Sequence, residues 1–90
     1  MIDNYLLEYL VTFAQTGTLA KTATHLNVTQ PTVTRGKQRL EAEFGIALFD
    51  RRPNRITLTA AGQLAAQQAA RLLQANRELV TTVRNYDQAH

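Results

Sequence analysis

Two helix-forming segments separated by a short turn lie between Thr18 and Gly45, and this spacing restricts the fold more than any other feature of the chain. Thr18 and Thr29 each stand where a side-chain hydroxyl can cap a helix N-terminus. Asn27 readily adopts the left-handed conformation that ends a helix, and Gly45 can end the later segment in the same way. A short helix, a tight turn and a second helix in this order are typical of a helix-turn-helix.

A further helix is predicted upstream, over residues 4–15, where apolar residues recur every three or four positions. Asp3 is a favourable N-cap for this helix, and Gly17 is a favourable stop. The segments 19–26 and 30–44 carry similar apolar stripes, and Pro31 fits the first turn of the later one, where no backbone N–H is required. The predicted apolar faces contain Leu6, Leu7, Leu10, Val11, Phe13, Ala14, Leu19, Ala23, Leu26, Val33, Leu40 and Phe44. Val28, in the turn, is expected to pack into the core.

A basic hairpin is predicted after Gly45. Residues 47–50 and 55–58 favour short strands, and Arg52-Pro53-Asn54 between them favours a turn. Six of the ten Lys and Arg residues lie between positions 35 and 55, against three of the seven acidic residues, so the whole net charge of +3 is located there. Such localised positive charge is typical of a surface that contacts phosphate.

One long helix is predicted to follow, from Ala60 to about Asp87 with Thr59 as its N-cap, and its length would be about 40 Å. A small domain over residues 1–58 cannot bury the whole apolar stripe of such a helix, so we expect a second chain to cover part of it. The fold class is therefore all-α: a winged helix-turn-helix of three helices and a two-stranded β-hairpin (1–58), followed by a linker and dimerisation helix (59–90). The predicted dimerisation residues are Leu64, Leu72, Leu79, Val83 and Tyr86.

Several segments in fixed order resemble the DNA-binding domain of the LysR-type transcriptional regulators over about residues 5–64. These segments are Phe13, Gly17-Thr18-Leu19, Ala23, Leu26, Thr29-Gln30-Pro31-Thr32-Val33-Thr34-Arg35, Leu40-Glu41, Phe44-Gly45, Leu48-Phe49-Asp50-Arg51 and Leu58-Thr59-Ala60-Ala61-Gly62. The resemblance implies a prokaryotic regulator that binds a double-stranded operator as a homodimer, and that could form a tetramer in a longer chain. The resemblance also implies that these residues are the N-terminal fragment of a longer protein with a C-terminal effector-binding domain, so a small-molecule effector would act only through that absent domain. A free-standing short regulator is the alternative.

Three positions depart from the family pattern. Thr22 stands where the family usually has alanine, and Lys37 where it usually has an apolar residue. Gly36 is unusual inside a helix, where it costs about 1 kcal/mol relative to alanine. The long stem of Lys37 would let its ammonium group reach solvent or phosphate from the apolar stripe.

The resemblance, together with side-chain chemistry, assigns DNA contacts. Gln30 can pair with adenine and Arg35 with guanine in the major groove, whereas a solvated Gln30 and a purely helix-starting Pro31 are the simpler interpretations. Arg51 could instead form an ion pair with Asp50 or Glu41. The predicted DNA-binding residues are Thr18, Thr29, Gln30, Pro31, Thr32, Thr34, Arg35, Lys37, Arg51, Arg52 and Arg55.

Other functions receive little support from the sequence. It contains no cysteine, no serine and no phosphate-binding glycine loop, and we expect no catalytic residues, metal or cofactor. No apolar run approaches the roughly 18 residues of a transmembrane helix, and the acidic N-terminus is unlike a signal peptide, so we expect a cytoplasmic location without membrane contact. The alternatives are a protein-interaction module, which would show no DNA sequence preference, a small enzyme, and a winged-helix regulator of the MarR type.

Overall fold

The computed structural model describes residues 2–89 and contains four helices and one two-stranded antiparallel sheet. This architecture is the predicted winged helix-turn-helix with a long C-terminal helix, so the predicted fold class is confirmed. The elements are α1 (Asn4–Thr16), α2 (Leu19–Leu26), α3 (Gln30–Phe44), β1 (Phe49–Arg52), β2 (Arg55–Leu58) and α4 (Ala60–Ala89).

The first three helices end as their sequences predict. Gly17, Asn27 and Gly45 follow α1, α2 and α3 with positive φ angles of 84°, 57° and 70°. In this left-handed conformation the backbone N–H of each residue turns back and donates to a carbonyl of the preceding helical turn. The turn between α2 and α3 is consequently short, which fixes the two helices close together.

Three of the four helices begin at a threonine cap. The hydroxyls of Thr18, Thr29 and Thr59 each accept a hydrogen bond from the backbone N–H three residues later, at 3.0–3.3 Å. Asp3 occupies the N-cap position of α1, but its exposed side chain makes no capping hydrogen bond, so the prediction of an aspartate cap was wrong in that respect. Its carbonyl oxygen accepts the first helical hydrogen bonds instead.

The first strand of the hairpin, called the wing here (residues 49–58), is displaced along the chain from its predicted position. Phe49 pairs with Leu58 and Arg52 with Arg55, so β1 begins two residues later than predicted. The preceding residues have other partners, because the Leu48 N–H donates to a side chain of α3 and the Ala47 carbonyl accepts from the Thr59 hydroxyl. The predicted strand at 47–50 is therefore corrected to Phe49–Arg52.

The core is formed around α1, which packs against α2, α3 and the first half of α4. Its largest fully buried side chains include Leu6, Leu10, Leu40 and Leu48. The first half of α4 adds Ala66, Ala69 and Leu73 to the same cluster. Beyond Leu73, all described residues of α4 are exposed. The helix thus begins inside the domain and continues away from it.

Two glycines allow elements to approach closely. A Cβ at Gly36 would lie 2.6 Å from Cε2 of Tyr9, and a Cβ at Gly62 would collide with the backbone carbonyl oxygen of Leu48. The ring of Tyr9 therefore occupies the space that a side chain at position 36 would need. This contact gives a physical reason for the unusual glycine inside α3.

Thr22, which also departs from the family pattern, is fully buried. Its hydroxyl donates to the Thr18 carbonyl oxygen at 2.7 Å and shares a hydrogen bond with the Thr16 hydroxyl at 3.0 Å. A threonine is tolerated in this core position because its polar atom has partners on α1 and at the start of α2.

Candidate nucleic-acid interface

The exposed start of α3 carries the side chains predicted to contact bases. Gln30 is exposed and Thr34 half-buried, and they lie one helical turn apart. The Thr29 hydroxyl lies 2.8 Å from that of Thr32, which accepts from Nη2 of Arg35 at 3.3 Å. This chain of contacts orients the exposed Arg35 guanidinium along the helix edge. Pro31, in the first turn, is also exposed.

A groove separates α3 from the wing, and we call it the α3–wing groove. One wall comes from α3 and the opposite wall from the wing, with Leu19 of α2 between them. The lining residues are Leu19, Gln30, Thr34, Lys37, Gln38, Phe49, Arg51 and Ile56. Four predicted DNA-binding residues therefore meet at one concave surface with donors, acceptors and positive charge.

A second concavity joins the start of α2 to the tip of the wing. Thr18, Gln30 and Arg55 are among its lining residues, together with Asn54 and Ile56. The N-terminus of α2 has free backbone N–H groups and the positive end of the helix dipole, which favour an anion such as phosphate. Gln30 belongs to both concavities, so the two form one continuous surface.

The register of the wing separates its arginines. Arg51 lies on the same face as Ile56 and lines the α3–wing groove, whereas Asp50, Arg52 and Arg55 lie on the opposite face. Arg52 Nη2 is 3.1 Å from Asp50 Oδ2, and the two side chains are 62% and 46% exposed. Asp50 thus pairs with Arg52 rather than with Arg51. Such an exposed pair contributes about 0–1 kcal/mol and exchanges readily for another anion.

Lys37 has a more constrained position than the sequence indicated. Its ammonium nitrogen lies 3.9 Å from Glu41 Oε1 and 5.4 Å from the centre of the Phe49 ring. Its side chain is only 20% exposed. It lines the α3–wing groove while it also connects α3 to β1.

Glu41 is the residue of this region whose structural contacts the sequence did not predict. Its Oε2 accepts hydrogen bonds from the backbone N–H groups of Leu48 and Phe49, at 2.9 and 3.1 Å. From the sequence alone, Glu41 is predicted only as a possible partner for Arg51. No local pattern could have revealed these contacts, because they join α3 to a separate loop and strand.

The predicted dimerisation residues all lie on the exposed surface of α4. Leu64, Leu72, Leu79, Val83 and Tyr86 are between 52% and 66% exposed. Leu64 and Leu72 border an apolar groove with Phe44 and Ile46, which are also exposed. The apolar residues of α4 are therefore divided between two environments. Ala69 and Leu73 enter the core, whereas the predicted dimerisation residues face solvent.

Residues 2–89 contain no group of three His, Cys, Asp or Glu side chains that could hold a metal ion. No helix in this range is long and apolar enough to cross a membrane.

Comparison with protein families gives one match that covers most of the chain. Residues 5–63 match the model of the bacterial regulatory helix-turn-helix proteins of the lysR family. The SDS degradation transcriptional activation protein of Pseudomonas sp. (strain ATCC 19151) is 38% identical over 87 residues, which are 97% of this chain and 28% of that protein. The transcriptional regulator TcbR of Pseudomonas sp. (strain P51) is 41% identical over 68 residues, 76% of this chain and 23% of that protein. The chain thus spans about a quarter of the length of these curated relatives.

Three solved structures that resemble this chain are complexes with DNA. The DNA-binding domain of CbnR in complex with DNA is 34% identical, with a TM-score of 0.89 over 94% of this chain and 98% of that one. The BenM DNA-binding domain in complex with benA site 1 DNA is 28% identical, with a TM-score of 0.91 over 99% of this chain and 100% of that one. Full-length CbnR with its target DNA is 35% identical, with a TM-score of 0.87 over 92% of this chain and 29% of that one.

Proposed function

Because the chain belongs to the lysR family of bacterial regulatory helix-turn-helix proteins, we propose that it binds double-stranded DNA sequence-specifically, as the DNA-binding part of a transcriptional regulator. The observation that carries this proposal is the α3–wing groove, where Gln30, Thr34, Lys37 and Arg51 converge. The named relatives are transcriptional regulators and not enzymes, and the structural neighbours include complexes with DNA. The relatives and the structural neighbours both support a DNA-binding role for this groove.

The proposed contacts divide into two kinds. Gln30, Thr34 and Arg35 read base edges in the major groove, where glutamine suits adenine and arginine suits guanine. Pro31 touches bases through its apolar ring, and Thr32 supports Arg35. The wing arginines, Lys37 and the helix starts at Thr18 and Thr29 contact phosphates and fix the orientation of the protein. The predicted phosphate-contacting arginines are Arg51, Arg52 and Arg55.

The proposed assembly is a homodimer on a roughly palindromic operator in the cytoplasm. Residues 1–58 bind one half-site, and the helix from residue 59 onward joins two copies through its exposed apolar stripe. A tetramer would require further contacts in a longer chain. A response to a small-molecule effector would likewise require a domain outside these 90 residues.

Selection of bound duplexes from a random pool tests the proposed function directly. We expect the selected duplexes to share a motif with approximate two-fold symmetry, because two copies of α3 would read two half-sites. Recovery of duplexes without a common motif would contradict sequence-specific binding and favour a protein-interaction module.

Substitution of Arg35 then tests base reading. We expect Arg35→Ala to weaken binding to the selected duplex by about 1–3 kcal/mol and to relax the preference at one base pair, because a bidentate contact with a base is lost. Arg52→Ala is the matched control, since it should weaken binding to selected and random duplexes alike and reduce the salt dependence. Fluorescence anisotropy titrations at several salt concentrations measure both effects. If the two variants changed affinity for selected and random duplexes equally, Arg35 would not read a base.

A further inference from the structure

One carboxylate connects the two walls of the α3–wing groove. Glu41 lies on α3, and its Oε2 accepts from the backbone N–H groups of both Leu48 and Phe49. Its other oxygen, Oε1, lies 3.9 Å from the Lys37 ammonium. The same side chain therefore contacts the residue that begins β1, the residue before it, and a cation that lines the groove.

The contact to Leu48 has no simple substitute. Leu48 is fully buried, so solvent cannot satisfy its backbone N–H if the carboxylate is removed. Phe49, the first residue of β1, packs its ring against Phe13 of α1 at 5.2 Å between ring centres. The start of the wing is thus held by α1 through an aromatic contact and by α3 through Glu41. Arg51 follows only two residues later on the same face of the strand.

The negative charge of an acidic residue at this place disfavours DNA binding, so its presence calls for a compensating structural role. The carboxylate lies on the helix proposed to enter the major groove, and its charge repels phosphate. Its side chain is 26% exposed, so solvent screens this repulsion only in part.

We propose that Glu41 is a positioning residue for DNA binding, which sets the distance between Arg51 on the wing and the base-reading side chains of α3. This inference rests on the proposed DNA-binding function. The hydrogen bonds to Leu48 and Phe49 hold the strand, and the ion pair with Lys37 holds the ammonium at the groove. Removal of the carboxylate would leave the wing free to shift relative to α3, so Arg51 and Gln30 would no longer fit one duplex together.

The test compares Glu41 with Glu43, an exposed acid on the same helix. Glu41→Ala and Glu43→Ala remove the same charge, but only the first removes an acceptor for the wing. Affinities for the selected duplex and for a random duplex are measured over a salt series, with circular dichroism to verify folding. We expect Glu43→Ala to leave binding unchanged or slightly tighter. We expect Glu41→Ala to weaken binding to the selected duplex about tenfold, and its salt slope to fall by about one unit, as for one lost phosphate contact.

A double-substitution experiment separates positioning from general destabilisation. If Glu41 acts partly through Arg51, Glu41→Ala has a smaller effect on DNA affinity in an Arg51→Ala background than in the wild-type chain. Glu41→Gln keeps an acceptor oxygen and should fall between the wild-type chain and Glu41→Ala. Amide hydrogen exchange at Leu48 and Phe49 should accelerate in the same order. This order remains measurable through Glu41→Gln even if Glu41→Ala fails to fold.

Three results would overturn the inference, and they distinguish its failure from the failure of the proposed function. If the wild-type chain selects a motif but Glu41→Ala binds as well as Glu43→Ala, the positioning role is wrong and the proposed function stands. The positioning role is also wrong if Glu41→Ala and Arg51→Ala add fully. If the wild-type chain selects no motif, the proposed function fails, and the inference fails with it.

Discussion

Gly36 is a residue with low helix propensity that is nevertheless required by the packing around it. Glycine costs about 1 kcal/mol inside a helix relative to alanine, so Gly36→Ala should stabilise α3 if only local propensity mattered. In this structure the added Cβ would collide with Cδ2 of the Tyr9 ring and lie 2.6 Å from its Cε2, and the ring itself packs edge-on against Tyr5. We therefore expect Gly36→Ala to lower the free energy of unfolding by about 1–3 kcal/mol, as overpacking does. Chemical denaturation at fixed protein concentration measures this change.

The control for Gly36 is the same substitution without the tyrosine ring. In a Tyr9→Ala background the space beside position 36 is free, so Gly36→Ala should raise the free energy of unfolding by up to about 1 kcal/mol. A change of sign between the two backgrounds attributes the glycine to Tyr9. The same sign in both would mean that another neighbour determines the residue at position 36.

Gly62, in the first turn of α4, allows this helix to pack closely against the backbone of Leu48, the residue before the wing. A Cβ at position 62 would collide with the Leu48 carbonyl oxygen, which also accepts from the Thr59 N–H at 2.9 Å. Because the obstacle is backbone rather than a flexible side chain, Gly62→Ala should destabilise the fold by about 2 kcal/mol or more. Gln67→Gly, at an exposed position of the same helix, measures the ordinary cost of glycine, about 1 kcal/mol. Thermal unfolding of both variants checks the comparison, and a stabilising Gly62→Ala would contradict it.

The elements also show which parts of this fold a sequence can predict. The ends of α1, α2 and α3 were predicted because caps and left-handed stops act within a few residues. The start of β1 was predicted two residues too early, because Glu41 and Thr59 provide partners for residues 47–48 from other elements. The residue types indicated which side chains belong to the candidate DNA-binding surface, but not which of them lie close together. Only the wing register places Arg51 in the groove and pairs Arg52 with Asp50.

The protein has an elongated shape. The chain extends over 57 × 26 × 19 Å, and its radius of gyration is 15.1 Å, whereas a compact chain of this length has about 12 Å. The distal half of α4 accounts for this extension, since no described residue beyond Leu73 is buried. Leu79, Val80 and Val83 stay exposed there, at 55–63% of their surface. A single copy leaves this apolar surface in water, which is unfavourable and supports the proposed dimer.

Charge introduced into the exposed stripe tests that dimer. We expect Leu72→Lys combined with Leu79→Lys to give a monomer in sedimentation velocity, because two ammonium groups from each chain would replace apolar contacts at the interface. Gln74→Lys combined with Thr81→Lys has the same charge and the same seven-residue spacing, but it lies on another face of α4 and should leave the dimer intact. Affinity for a selected palindromic duplex should fall only in the monomeric variant, since one half-site contact then forms without the other. A dimer that persists after Leu72→Lys with Leu79→Lys would place the interface on another surface.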